Sequence, residues 1–147
     1  MDGGRSFVTH LDTCFVIKAL EKIERLTGNR ECTEAIERGV KYYVKHLFDE
    51  AGMPKPFSKA PRLTMYRREL YDYAECINLA ILLKGRFSEL DERLETVLDD
   101  LLTRWQRPSG SFRSRHVLLG WDNMAMHPWA QAQVFRSLCL LLKERDL

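Results

Sequence analysis

The sequence predicts an all-α protein built from repeated helical hairpins. Three observations predict it. Five segments carry apolar residues at helical spacing, and glycines and prolines gather between them rather than inside them. The segments also alternate in character: the first, third and fifth turn apolar after a polar or aromatic start, whereas the second and fourth have one charged face.

Each element can be justified in order. Over 9–26, Val16, Ala19, Leu20, Ile23 and Leu26 recur at helical spacing, and Gly28 suits the left-handed position that ends a helix. A second helix over 31–48 follows Asn29, a good N-cap, with Ile36, Val40, Tyr43, Val44 and Leu47 as its apolar stripe. The next connection contains Gly52, Pro54, Pro56 and Pro61 and reads as a long loop. The third helix, over 69–83, is apolar almost all round in its C-terminal half and should be buried on most sides. Ser88 opens the fourth, with Asp91 at capping-box spacing. Leu90, Leu94, Val97, Leu98, Leu101, Leu102 and Trp105 form its stripe, while Asp91, Glu92, Arg93, Glu95, Asp99 and Asp100 should face water. A second long connection leads to Pro128, placed as the first residue of a fifth helix that runs to about Arg145.

The 147 residues read as one domain, 1–147, with hairpins over 9–48 and 69–106 and a final helix over 128–145. Net charge is +2, from 23 basic and 21 acidic side chains, which argues against a general nucleic-acid binder. No apolar run reaches the roughly 18 residues of a membrane span, and MDGGRSFVTHLD lacks the layout of a signal peptide, so a cytoplasmic location is expected. Cys14, Cys32, Cys76 and Cys139 form no CxxC pair and read as small buried hydrophobes.

The inner helices overlay without gaps. His10, Tyr71 and His127 correspond at offsets of 61 and 56 residues, as do Asp12, Tyr73 and Trp129, and Cys14, Glu75 and Gln131. A unit of two helices plus a long loop cannot bury its own apolar face, and stacking the units does so.

HLDTCFVIKALEKIERLTGN, followed by an amphipathic helix and LFDEAGMPKPF, resembles one hairpin of the six-hairpin glycosidase-like (α/α) toroids. Those families include sugar epimerases, unsaturated glucuronyl hydrolases and polysaccharide lyases. The tail resembles the last hairpin of helical proteins linked to bacterial polysaccharide biosynthesis, through Gly110-Ser111-Phe112, Gly120-Trp121-Asp122-Asn123 and Trp129-Ala130-Gln131-Ala132. The resemblance implies part of an (α/α) toroid. A full ring has about six hairpins, and this chain supplies two and a half. The expected partners are therefore the missing hairpins of a longer chain or a second copy, since the open edges carry apolar faces.

In such a ring the ligand cleft lies at the mouth, where inner helices start. The resemblance implies His10, Tyr71, Asp72, Trp121, Asp122, Trp129 and Gln131 as contacts for a saccharide, with Glu69 beside them. Asp12, Glu75 and His127 are the candidate catalytic groups, because a paired acid and base acts on glycosidic or C–H bonds. Each has a structural alternative. Asp12, Asp72 and Asp122 lie near helix starts, where a carboxylate favours the dipole. The histidines and tryptophans also serve packing and hydrogen bonding. Tyr66-Arg67-Arg68 and Arg113-Ser114-Arg115-His116 are basic clusters suited to anionic sugars, or simply solvated loops.

No ligand pair has a metal-site spacing, and no P-loop, GxGxxG or GxSxG motif supports a cofactor or a serine nucleophile. The leading expectation is a carbohydrate-related toroid fragment that binds or processes an anionic polysaccharide. Its competitor is a non-enzymatic helical-repeat module that binds protein through an exposed apolar groove. A terpenoid binder with a deep apolar pocket is a third option.

Overall fold

The computed structural model describes residues 8–59, 64–124 and 128–145. It is mostly helical: α1 (His10–Thr27), α2 (Arg30–His46), α3 (Leu70–Leu82), α4 (Ser88–Asp100) and α5 (Pro128–Arg145). Three short strands, β1 (Tyr66–Glu69), β2 (Arg115–Val117) and β3 (Gly120–Asp122), join in one antiparallel sheet in the order β1-β2-β3. The sheet joins the two long connections, which the helical periodicity read only as loops. Arg68 sits opposite His116 and Glu69 opposite Arg115, with a bulge between Tyr66 and Arg68. Pairing across 50 residues of chain leaves no local period in either segment, so the strands are invisible to a pattern search.

The helix ends follow simple chemistry. Thr9 caps α1 by accepting the Asp12 N–H at 3.0 Å, and its hydroxyl donates to the Asp12 carboxylate at 2.6 Å. Gly28 ends α1 at φ 65°, donating to the Glu24 carbonyl at 2.7 Å. Asn29 caps α2 through the Glu31 N–H. The start of α4 differs from expectation. Its N-cap is Phe87 with no side-chain cap, and Asp91 instead accepts the Gly85 N–H, whose residue turns at φ 72°. A capping box needs the hydroxyl at the N-cap itself, and Ser88 is already inside the helix.

Helix α4 also stops sooner than its stripe suggests. Leu101–Trp105 is a π-helical turn, closed by the Gln106 N–H on the Leu101 carbonyl. Leu102, expected in the stripe, is 48% exposed, and Asp100, expected in water, is buried. The Asp100 carboxylate accepts from the Tyr73 hydroxyl at 2.7 Å and from Trp105 Nε1 at 3.0 Å, which explains the burial.

Packing places α3 at the centre, against α1, α4 and α5. From Asp72 to Ala80 every residue is buried, as the all-round apolar pattern requires. Helices α1 and α2 form one hairpin, with Gly39 of α2 against the Ile17 side chain of α1. The inner helices α1, α3 and α5 run side by side in one direction. Lys18 on α1 pairs with Glu75 on α3, and Ser137 on α5 donates to the Ala74 carbonyl of α3 at 3.1 Å. Cys14, Cys32 and Cys76 are buried small groups, whereas Cys139 is exposed on α5. Among the described residues, no helix is long and apolar enough to cross a membrane.

Candidate functional site

The starts of the inner helices gather at one end. The connection after α2 seats α1 through the His10 N–H on the Pro56 carbonyl, and the Leu70 N–H that opens α3 donates to Ser114. The residues nominated as contacts meet different fates there.

His10 is fully buried, with its Nε2 2.8 Å from the Tyr43 hydroxyl and its ring edge-on to Tyr43 and Phe48. Burial lowers its pKa from 6.5 to about 3, so it is a neutral core group rather than a lining residue. Asp12 is held in the Thr9 cap and faces solvent. Gln131 is committed to Phe112, accepting its N–H at 3.0 Å and donating to its carbonyl at 2.8 Å. Trp121 is enclosed by Trp105 and His116, with the Arg113 guanidinium over its ring. Asp122 accepts the Met124 N–H, and Glu69 is bound by Arg115 at 2.8 Å. Trp129 is 64% exposed on α5. His127 lies outside the described residues.

The second basic cluster is likewise occupied. Arg113 donates to Asn123 at 2.8 Å, and Arg68 of the first cluster pairs with Asp49 at 2.6 Å. Desolvation and the neighbouring Arg68, Arg67 and Arg104 charges hold His116 below its ordinary pKa. With Arg115 on Glu69, three of the positive groups in these loops are thus tied to partners that hold the loops in place.

Three candidates do come together on α3. Tyr71, Asp72 and Glu75 lie within one helical turn, and Asn78 follows three residues on. Glu75 is 2% exposed and forms an ion pair with Lys18 of α1. Asp72 is 1% exposed, and its Oδ2 has no hydrogen-bond partner among the described residues. Burial, then the Glu69 and Glu75 charges, push its carboxyl well above the usual range. The two neighbouring carboxyls therefore sit in different surroundings: Glu75 is paired with Lys18, whereas Asp72 has no ion pair among the described residues.

Among the described residues, neither the amide nitrogen nor the amide oxygen of Asn78 has a partner, and Gln133 Oε1 on α5 lacks one as well. A buried polar group left unpaired costs about 1–3 kcal/mol. Such groups call for an explanation, of which a bound partner is one. Sequence inspection overlooked Lys18, Asn78 and Gln133. A signal existed: Asp72, Glu75 and Asn78 recur every third residue in an otherwise apolar helix.

Below this stripe a cleft of 470 Å³ opens between α1, α3 and α5. Lys18, Glu21, Lys22 and Arg25 line one wall, Asn78, Ile81 and Leu82 the floor, and Arg136, Leu140 and Glu144 the other wall. Among the described residues, no group of His, Cys, Asp and Glu is arranged to hold a metal ion.

No protein-family model matches the chain, and no curated protein matches it in sequence.

Proposed function

We propose that this chain is part of an (α/α) toroid that binds an anionic saccharide along the face shared by its inner helices. The observation that supports this most is the polar stripe Tyr71–Asp72–Glu75–Asn78 on the most buried helix of the molecule. A core helix gains nothing in stability from such groups when they lack partners. A polyhydroxylated ligand offers the donor and acceptor that Asn78 lacks at the cleft, and the Tyr71 ring offers a face for a pyranose. The proposal assigns binding. Bond cleavage by Asp72 and Glu75 would require a ligand to reach side chains that are 1% and 2% exposed.

Titration with neutral oligosaccharides and with oligouronides, followed by backbone amide shifts, tests this reading. Shifts confined to α3 and the facing turns of α1 and α5, weakened in Tyr71→Ala and Glu75→Gln, are expected. A panel that leaves those amides unmoved would sink it.

One observation favours the competing reading, a helical module that binds protein. Trp129, Phe135 and Leu142 lie 64, 72 and 60% exposed along α5, and Val16, Ile23 and Leu26 are similarly open on α1. Size measurement by light scattering across a concentration series separates the two: a saccharide binder with no partner of its own stays one size.

A further inference from the structure

From the cleft between α1, α3 and α5 we infer that the site takes a sugar acid, a ligand with one anionic group and several hydroxyls. The inference rests on the saccharide reading for its ligand class and shares Asn78 with it, but adds the cleft cations Lys22 and Arg136. Four cations line the cleft, and two are already engaged: Lys18 by Glu75, and Arg25 by Glu21 at 3.4 Å. Lys22 and Arg136 stand on opposite walls and make no ion pair among the described residues. They supply the charge that recognises a carboxylate.

The floor supplies the second requirement. Asn78 is 6% exposed, lines the cleft, and has both its donor and its acceptor unsatisfied. An amide in that state matches a hydroxyl, which donates and accepts at once. Glu144, also on the wall and without an ion pair, is a further acceptor for O–H groups and repels a bare anion. Leu82 gives the floor an apolar strip for the C–H face of a ring. Cations, a two-way amide, a carboxylate and an apolar strip suit a hydroxylated monoanion better than phosphate, which has fewer hydroxyls and no C–H face to set against Leu82.

The test is titration of the full chain with glucuronate, malate and inorganic phosphate, in wild type and in the variants Lys22→Gln, Arg136→Gln and Asn78→Leu. Glucuronate binding should weaken about tenfold or more in each variant, as expected for loss of a charged or buried hydrogen bond. The unfolding midpoint of Asn78→Leu should not fall. Lys22 and Arg136 are exposed, so their variants decide the matter even if Asn78→Leu does not fold. Glucuronate binding that is indifferent to all three substitutions overturns the inference and leaves the saccharide reading standing. Malate binding with the same sensitivities, and no saccharide binding, upholds the charged cleft and overturns the saccharide reading. Phosphate binding as tight as glucuronate overturns the hydroxyl requirement, and an absence of any binding overturns the site.

Discussion

Around the small sheet and its loops, several polar side chains are held by partners. Glu69 meets Arg115, Arg68 meets Asp49, and Gln131 takes both backbone groups of Phe112. In the helical interior others are not: Asp72, Asn78, Gln133 and the Nδ1 of His10 keep buried atoms with no hydrogen-bond partner among the described residues. Both regions are rich in the residue types that bind sugars, so composition alone does not separate them. Satisfaction does. A hydrogen bond already made inside the protein holds the fold, while an unmade one in the interior is available to a ligand at no further loss.

This contrast can be broken by substitution, and the largest effect belongs to the satisfied region. Asp100→Ala orphans the Tyr73 hydroxyl and Trp105 Nε1 together, two buried donors at about 1–3 kcal/mol each. Urea denaturation should show a loss of about 2–6 kcal/mol, and a smaller loss would mean that the π-helical turn re-pairs them.

Next comes pH. The neutral, buried His10 has its pKa lowered to about 3 from 6.5, so the unfolded chain takes up a proton first as pH falls. Stability should be lost between pH 6.5 and about 3 and largely restored by His10→Gln. Asp72 has the opposite sign. Its raised pKa means the folded chain keeps a proton the unfolded chain gives up, so its contribution is present at low pH and lost as pH rises. Midpoints measured across pH for wild type, His10→Gln and Asp72→Asn should show two slopes of opposite sign, each removed by its own variant.

Gln131→Ala should cost about 1–3 kcal/mol, since it strips the Phe112 backbone of both partners. The smallest effect sharpens the comparison most. Asn78→Leu should raise stability by about 1 kcal/mol, because it replaces an unsatisfied amide with apolar volume. A loss instead would place Asn78 among the satisfied groups.

Periodicity, capping chemistry and the glycines and prolines determined by themselves that the protein is helical, where its five helices lie, and which of them is most buried. These are local properties: Thr9 and Asn29 cap their own helices, Gly28 turns its own chain, and the all-round apolar run in α3 can only be a core helix. What no local rule reaches was decided by the tertiary structure. The β1-β2 pairing joins segments nearly 50 residues apart, and Asp100 became a core residue because Tyr73 and Trp105 converge on it. The same holds for the candidate site. Tyr71, Asp72 and Glu75 were legible as polar residues in an apolar helix, but whether each is spent or spare depends on partners brought in from α1 and α5. Gln131 carried the same sequence signal and proved to be spent on Phe112, and His10 has its Nε2 spent on Tyr43. Lys18, Lys22 and Arg136 carry no local signal, and the packing of α1, α3 and α5 sets them around one cleft.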